Sequence, residues 1–343
     1  MITPLVEDVA WVPMDEPSAV GAARRAVEQL ATQLGAASAR AAEIGIAVTE
    51  MASNVVRHGG GGTVLLRAVR VIDAAEIEVV AVDSGPGIAD LGAARRDGSS
   101  TAGTLGIGMG AIERMAHVVE IATVPERGTV LVAAFDVRRP RPDTGPIRSP
   151  DVAGITRALT GEEVCGDAYA SRRHGTRLTL MMSDGSGHGP LAASASSAAV
   201  RTFLDPDRVG DSPAEVLERV HGALSGTRGA AVAVAEIDPH AEIVRFAGIG
   251  NIAGAVLHDG GKRSMVSLGG VAGFRRPPIR TFEYAYPPGA VVVMHSDGVR
   301  SRWSAAEVGG LLGRTPLLLA ASLLRDAGIR HDDACVLVGR AAP

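Results

Sequence analysis

The first 137 residues combine long stretches of helical periodicity with short stretches in which apolar and polar positions alternate. Apolar residues recur three or four positions apart over 17–34 and over 41–58, which predicts two amphipathic helices. The later pattern predicts strands at 63–70 and 75–82, a short helix at 111–116, and closing strands at 118–124 and 128–137. These elements predict an α+β unit, an α/β sandwich in which helices cover one mixed sheet.

From residue 151 onward, short apolar runs typical of strands predominate, and pairs of helices interrupt them. The strands are predicted at 152–159, 163–171, 177–183, 230–237, 242–248, 252–258, 281–286, 290–295 and 334–339. The helices are predicted at 190–203, 213–224, 304–312 and 317–326. This order favours a layered αββα sandwich, with two sheets inside and helices outside.

Residues 138–150 separate the two patterns and are rich in proline and arginine, without periodicity. We interpret them as a semi-stiff linker between domains at 1–137 and 151–343. A chain of 343 residues is also long enough for two domains.

Composition and charge narrow the classes of function. The net charge is −4 with no basic tract, and aromatic residues make up only 3%, so nucleic-acid binding is not expected. Two cysteines without a CxxC motif exclude a disulfide framework and favour a reducing cytoplasm. No apolar run reaches the length of a membrane span. The sequence therefore predicts a cytoplasmic protein without a membrane segment.

The N-terminal half carries residues suited to binding a nucleotide. Glu50 and Asn54 share one face of the helix predicted over 41–58, because they lie four positions apart. Asn54 offers a neutral oxygen to Mg²⁺, and Glu50 is suited to activating an attacking hydroxyl. Asp83 ends a predicted strand, where a carboxylate can accept from an exocyclic amine. Glycines that open a helix, as in 106–110, present free N–H groups to phosphates.

Taken in order, these motifs resemble the Bergerat-type ATP-binding fold, and within it the anti-sigma serine kinases of bacterial partner-switching systems, with the loop at 97–114 closest to the RsbT type. The motifs are Glu50-Met-Ala-Ser-Asn54, Asp83-Ser-Gly-Pro-Gly87, Gly106-Ile-Gly-Met-Gly110 and Arg127-Gly-Thr129. The resemblance implies that Glu50 is the general base, Asn54 a Mg²⁺ ligand and Asp83 the acid that reads adenine. It assigns the remaining ATP-binding positions to Gly85, Gly87, Gly106, Gly108, Gly110 and Thr129.

In the C-terminal half, four carboxylates stand at the ends of predicted strands or in turns: Asp167, Asp184, Asp297 and Asp332. A strand that delivers a carboxylate into a glycine-rich turn is suited to a hard cation. Four acids from four separate segments predict a two-metal site in one cleft. Asp184 is the best bridging ligand, because Gly185 can lend a backbone carbonyl beside it.

This order of acids resembles the PP2C-type, metal-dependent serine/threonine phosphatases, specifically the SpoIIE/RsbX branch. The matching pieces are Gly166-Asp167, Ser183-Asp-Gly-Ser-Gly-His-Gly189, Gly250-Asn251, Ser296-Asp-Gly298 and Asp332-Asp-Ala334. The resemblance implies a first metal on Asp167, Asp184 and the Gly185 carbonyl, and a second on Asp184, Asp297 and Asp332. It leaves Asp333 as the alternative to Asp332.

Two further features allow more than one interpretation. His188 in the glycine-rich turn suits a general acid, although a structural role is favoured. Cys165 and Cys335 flank two of the acids, and buried thiols are favoured over zinc ligands.

Together the two resemblances imply a bifunctional switch protein. An ATP-dependent kinase with Mg²⁺ would act on a serine or threonine of a STAS-type antagonist or scaffold, and a phosphatase with two Mn²⁺ or Mg²⁺ ions would act on such a phosphate. A sigma factor or a downstream phosphatase is a further partner to consider, and a homodimer stays open. In the alternative hypothesis, the N-terminal domain binds ATP and a partner without transferring phosphate.

Overall fold

The computed structural model describes residues 4–92, 108–138, 149–259, 261–274, 278–329 and 331–342. Internal contacts divide the chain into two compact units, an N-terminal unit Met1–Ser149 and a C-terminal unit Pro150–Pro343. Most of the predicted linker lies outside the described residues, so the domain limits at 137 and 151 stay predictions. No described helix is both long and apolar enough to cross a bilayer.

The N-terminal unit is one five-stranded sheet with helices packed on one face. Its elements are β1 (Leu5–Pro13), α1 (Ser18–Gln33), α2 (Ser38–His58), β2 (Gly62–Val71), β3 (Ala74–Asp83), α3 (Gly108–Met115), β4 (Val118–Val124) and β5 (Gly128–Asp136). The strand order is β1-β2-β3-β5-β4, and the described pairings are all antiparallel. The sheet is therefore antiparallel, whereas the sequence analysis predicted a mixed sheet. The helical stripe of α2, including Ile44, Val48, Met51 and Val55, is buried in the core.

Strand β1 has no counterpart among the predicted elements. It pairs with β2, but the register shifts between Asp8 and Ala10. A bulge of this kind adds one residue and interrupts the alternation that identifies a strand in a sequence. The hydrophobic pattern of 5–13 therefore lacks a clean period of two.

The C-terminal unit is a sandwich of two five-stranded antiparallel sheets with helices outside. Its strands are β6 (Val152–Arg157), β7 (Asp167–His174), β8 (Arg177–Gly185), β9 (Ala230–Asp238), β10 (Ile243–Ile249), β11 (Ala253–His258), β12 (Gly261–Met265), β13 (Phe282–Ala285), β14 (Val291–His295) and β15 (Ala334–Gly339). Its helices are α4 (Pro190–Phe203), α5 (Pro213–Ala223), α6 (Ala305–Val308) and α7 (Pro316–Ala327), with 3₁₀ turns at Pro206–Arg208 and Gly309–Leu311.

The two sheets have the orders β13-β10-β9-β8-β7 and β12-β11-β14-β15-β6. Helices α4 and α5 pack on the first sheet and α7 packs on the second. The core between the sheets includes Leu180 and Phe246 from one sheet and Val292 and Leu337 from the other. The predicted α+β class and the αββα arrangement are both confirmed.

Three elements of this unit differ from the sequence prediction. The strand predicted over 163–171 begins at Asp167, because the preceding residues form a turn held by side-chain hydrogen bonds. The helix predicted over 304–312 is only one α-helical turn followed by a 3₁₀ turn. Strand β12 was not predicted, and it forms a hairpin with β11.

A buried arginine joins the first three strands of the N-terminal unit. Arg67 Nε lies 2.6 Å from Asp8 Oδ1, and its Nη1 lies 3.1 Å from Glu78 Oε2. The Arg67 side chain is only 1% exposed. A neighbouring pair on the first two strands, Arg70 with Glu7, is largely exposed and 3.4 Å apart.

We expect Arg67→Ala to lower the free energy of unfolding by about 3–5 kcal/mol, because it leaves two buried carboxylates without their cation. The matched variant Arg70→Ala should cost less than about 1 kcal/mol, since exposed ion pairs contribute little. Urea denaturation followed by circular dichroism measures both. Equal losses in the two variants would contradict this account of the buried cluster.

Candidate functional site

Asp167 and Asp184 face each other on neighbouring strands. Asp167 is the first residue of β7, Asp184 is the next-to-last residue of β8, and the antiparallel register pairs them directly. Directly opposed like charges destabilise a sheet. Their placement therefore indicates a site that needs both carboxylates close together.

Asp297 and Asp332 bring two more carboxylates to the same place from the second sheet. Asp297 follows β14, and Asp332 lies in the turn before β15, which is the neighbouring strand. Asn251 Nδ2 donates to Asp297 Oδ2 over 2.7 Å and fixes that side chain. The structure thus gathers all four acids that the sequence analysis selected.

Burial and mutual repulsion disfavour the charged form of Asp167, Asp184 and Asp297. Burial, followed by the charges of Asp297, Asp332 and Asp333, raises the pKa of Asp184 from 3.8 to about 7. Burial also raises the pKa of Asp167 well above its ordinary value, and the Asp184 charge adds to that rise. The pKa of Asp297 is raised by burial and then by Asp332. Such a cluster is expected where cations bind.

One oxygen of Asp167 gives an independent indication that the site suits a cation. Asp167 Oδ2 is buried and accepts no hydrogen bond from the described residues. Such an oxygen costs free energy unless it finds a partner. A hydrogen bond between Ser296 and Asp167 offsets part of the rise in the Asp167 pKa. Ser296 Oγ also accepts from the Cys335 N–H over 2.9 Å. A divalent cation is a suitable partner for the buried oxygen.

Asp333 has a different environment from Asp332. Its Oδ1 accepts from the Leu159 N–H over 2.8 Å, and its Oδ2 accepts from the Gly166 N–H over 2.9 Å. Both oxygens of this buried carboxylate are therefore used to hold the turn that leads into Asp167. Asp332 is half-buried, and its Oδ1 accepts from the Asp333 N–H. This geometry favours Asp332 over Asp333 as the metal ligand.

The glycine after Asp184 is required by packing. A Cβ at Gly185 would lie 2.2 Å from the Ala192 carbonyl oxygen, so α4 could not approach β8. The Gly185 N–H donates to the Gly166 carbonyl, which ties this strand end to the turn before Asp167. The need for glycine here is steric and independent of whether its carbonyl binds an ion.

His188 and the two cysteines of this region have environments typical of structural residues. His188 Nδ1 lies 2.6 Å from Glu162 Oε1, at an exposed position. Cys335 is buried, and burial followed by the charges of Asp167 and Asp333 raises the pKa of the half-buried Cys165 thiol. These environments agree with the structural interpretations that the sequence favoured.

One compact group of potential ligands lies elsewhere, in the N-terminal unit. Among the described residues, only Glu76, His117 and Asp136 offer three ligand atoms all within 4.8 Å of one another. The two ring nitrogens of His117 face different acids, with Nε2 3.5 Å from Glu76 and Nδ1 3.7 Å from Asp136. This arrangement places the imidazole ring between two carboxylates. No three described aspartates of the C-terminal unit meet this 4.8 Å limit.

Asp83 is the centre of the candidate nucleotide site in the N-terminal unit. Its Oδ1 accepts from the Gly85 N–H over 3.0 Å and from the Thr129 N–H over 3.1 Å. Its Oδ2 has no hydrogen-bond partner among the described residues. One oxygen thus fixes the carboxylate while the other is available to a ligand amine.

Glycines allow three segments to approach Asp83. A Cβ at Gly59 would lie 2.5 Å from the Asp83 Cβ, and a Cβ at Gly128 would lie 2.1 Å from the Asp83 carbonyl oxygen. A Cβ at Gly85 would meet Gly59 at 2.8 Å. The C-terminal end of α2 therefore packs directly against the end of β3.

Glu50 and Asn54 are both half-buried residues of α2. Neither side chain has a hydrogen-bond partner within the described ranges. Since α2 ends against Asp83, the polar face of the helix and the adenine-reading candidate belong to one end of the sheet.

The remaining predicted ATP-binding residues fall into two groups. Gly87 adopts φ +76° where a Cβ would lie 2.7 Å from the Val124 carbonyl oxygen, and the Thr129 hydroxyl lies 3.2 Å from that of Thr123. Gly108 begins α3 with φ +61°, and Gly110 is buried in that helix. Gly106 lies outside the described residues.

Family comparisons match both units. Residues 14–135 match the histidine kinase-like ATPase domain, and residues 174–341 match stage II sporulation protein E (SpoIIE). The serine/threonine-protein kinase RsbT of Bacillus subtilis (strain 168) is 31% identical over 112 residues, which are 33% of this chain and 84% of RsbT.

Solved structures are similar as well. A chain from a study of the bacterial stressosome, described as a modular system adapted to control secondary messenger signalling, is 30% identical with a TM-score of 0.51. It covers 55% of this chain and 98% of its own. The PP2C phosphatase domain of SpoIIE from Bacillus subtilis, solved with a regulatory-domain fragment, is 15% identical, with a TM-score of 0.47 and coverage of 80% of both chains.

The N-terminal match spans most of a known kinase, and the SpoIIE match spans most of the C-terminal unit. This chain therefore belongs to the family of the serine/threonine-protein kinase RsbT, with an ATPase domain of that type joined to a SpoIIE domain in one polypeptide.

Proposed function

We propose that this chain is a bifunctional regulator of a partner-switching pathway. The N-terminal unit transfers a phosphoryl group from ATP to a serine or threonine of a STAS-type partner. The C-terminal unit hydrolyses such a phosphate as a PP2C-type, metal-dependent phosphatase. The observation that carries the proposal is the gathering of four aspartates, three of them (Asp167, Asp184 and Asp297) with raised pKa values, in a unit that matches SpoIIE, together with an RsbT-like unit in the same polypeptide.

The gathered acids fit a pair of Mn²⁺ or Mg²⁺ ions. Asp167, Asp184 and the Gly185 carbonyl would hold one ion, and Asp184, Asp297 and Asp332 the other. Positive charge would relieve the repulsion that raises the pKa values, and it would satisfy the buried Asp167 oxygen. When bound, such ions stabilise negative charge on a phosphate and lower the pKa of water.

Asp83, Asn54 and Glu50 have separate roles in the proposed kinase. Asp83 accepts from the adenine amine through the oxygen that the Gly85 and Thr129 amides leave available. Asn54 contributes a neutral oxygen to Mg²⁺ at the ATP phosphates. Glu50, one turn earlier on α2, removes the proton of the acceptor hydroxyl as the phosphoryl group transfers.

Opposing activities on one chain would set the phosphorylated fraction of the partner by the ratio of two rates. The RsbT likeness supports a kinase in the N-terminal unit, and the stressosome likeness supports STAS-type partners. We place the protein in the cytoplasm, acting on a stress or sigma-factor pathway. The competing hypothesis, an N-terminal unit that binds ATP and a partner without catalysis, is decided by the kinase experiment below.

For the phosphatase, we expect Asp184→Asn to lower kcat/KM for a phosphoserine peptide about 1,000-fold in the presence of Mn²⁺, because it removes the bridging carboxylate. The matched control is Asp207→Asn, which removes an exposed carboxylate from the 3₁₀ turn Pro206–Arg208 and should retain full activity. Malachite-green detection of released phosphate measures both rates. Similar activity in both variants would contradict the proposed metal site.

For the kinase, the assay uses the Asp184→Asn chain, so that the phosphatase does not remove the label. With γ-labelled ATP and a STAS partner, Glu50→Gln should reduce label transfer about 100- to 10,000-fold, because the general base is lost. Glu43→Gln changes a partly exposed carboxylate on the same helix, which pairs with Arg40, and should transfer normally.

ATP binding is measured in parallel with a fluorescent ATP analogue. Retained ATP binding without any transfer from the Asp184→Asn chain would reject the kinase and favour the non-catalytic hypothesis. Transfer that persists in Glu50→Gln would reject only the role of Glu50 as the general base and would retain the kinase.

Protons and metal ions compete for Asp184. Its pKa in the folded chain is about 7, raised by burial from an ordinary value of 3.8. The folded state therefore keeps a proton that the unfolded state releases. In chelator, the free energy of unfolding should fall as the pH rises from about 4 to 7.

Urea denaturation in EDTA across this range should show a smaller decline in Asp184→Asn than in the unaltered chain. Added Mn²⁺ should restore stability at pH 7 only when Asp184 is present. Identical pH dependence in the two proteins would show that the carboxylate is not strained by its neighbours.

A further inference from the structure

The gathered aspartates create an electrostatic difficulty for a phosphate substrate. Four carboxylates neutralise two divalent ions, and Asp333 lies close enough to affect the pKa of both Asp167 and Asp184. A phosphate monoester that enters brings further negative charge. Positive charge from the protein itself is needed near the entrance if the monoester is to bind well.

Arg228 lies in a turn that is fastened to the loop after Asp184. Thr227 Oγ1 donates to the Leu224 carbonyl over 2.7 Å and accepts from the Gly229 N–H over 3.0 Å. The Gly229 carbonyl then accepts from the Ser186 N–H over 3.0 Å. These bonds on both sides hold the Arg228 backbone at a fixed place beside the metal-binding loop.

The Arg228 guanidinium lies over this loop. Its Nη1 is 3.1 Å from the point where a Cβ on Gly187 would stand, and Gly187 adopts φ +90°. The residue is exposed, and within the described residues it makes no hydrogen bond and no ion pair. Four other arginines of the unit are paired with acids: Arg173, Arg177, Arg219 and Arg245. Arg228 therefore has donors available for a ligand.

We propose that Arg228 captures the phosphate of the substrate at the entrance of the acidic site. A planar guanidinium with paired N–H donors matches two oxygens of a phosphate monoester. The ligand class is a phosphoserine or phosphothreonine side chain, and the assignment rests on the proposed phosphatase function. Arg228 binds and orients the phosphate without taking part in proton transfer.

Binding of inorganic phosphate to the full-length, Mg²⁺-loaded chain tests this role without turnover. By isothermal titration calorimetry, Arg228→Ala should bind phosphate about 10- to 100-fold more weakly, the usual range for a charged hydrogen bond. Arg228→Lys should fall between the two, because it keeps the charge and loses the paired donors. Arg201→Ala, which removes an exposed arginine from the last turn of α4, should match the unaltered chain.

Kinetics with a phosphoserine peptide give the second measurement. Arg228→Ala should raise KM by a similar factor and leave kcat and the half-saturating Mn²⁺ concentration nearly unchanged. Unaltered phosphate affinity and KM would overturn the proposal. A rise in the Mn²⁺ requirement would also overturn it, because Arg228 would then only support the loop at Gly187.

The two proposals fail in different ways. Phosphate binding that depends on Arg228, in a chain that hydrolyses nothing, would retain the capture site and reject the phosphatase. Hydrolysis with no contribution from Arg228 would retain the phosphatase and reject the capture site. A chain that binds no phosphate would also reject Arg228 in this role.

Discussion

Repulsion among closely spaced aspartates is the constraint on which the C-terminal unit depends. The register of β7 and β8 places Asp167 opposite Asp184, and the second sheet adds Asp297 and Asp332. Such crowding is unfavourable unless cations or protons neutralise it. The hydrogen-bonded framework around the acids must therefore be rigid enough to keep them together. Asn251, Ser296 and Asp333 provide that rigidity through bonds to side chains and backbone.

The candidate nucleotide site of the N-terminal unit is built around a single carboxylate instead of a cluster. Asp83 is held by two backbone amides on one oxygen, while glycines bring α2 and the start of β5 into contact with it. A single carboxylate in a fixed orientation can distinguish an amine from an oxygen on a ligand. In the proposed function the two units thus use aspartate differently: as a group that attracts cations in one, and as a directional acceptor in the other.

Much of this arrangement could be predicted from the sequence, because the acids and glycines occur at strand ends and turns. The four aspartates and the sandwich of sheets follow from that pattern. The bulge at β1 disrupted its alternation, so that strand was missed. The role of Asp333 was also hidden, since its partners Leu159 and Gly166 are more than 160 positions away along the chain. Nothing in the sequence distinguished Arg228 from other arginines, because its significance lies in its position beside Gly187 and its lack of an acidic partner.

The two backbone hydrogen bonds that Asp333 accepts limit where insertions and deletions can occur in this chain. One carboxylate binds backbone amides at Leu159 and Gly166, and so it closes the segment between them into a loop of fixed span. Inserting or deleting a residue there would displace Asp167 from its position opposite Asp184. Length changes in related proteins should therefore be rare in this segment and accumulate instead at hairpins remote from the acids, such as the one joining β9 to β10.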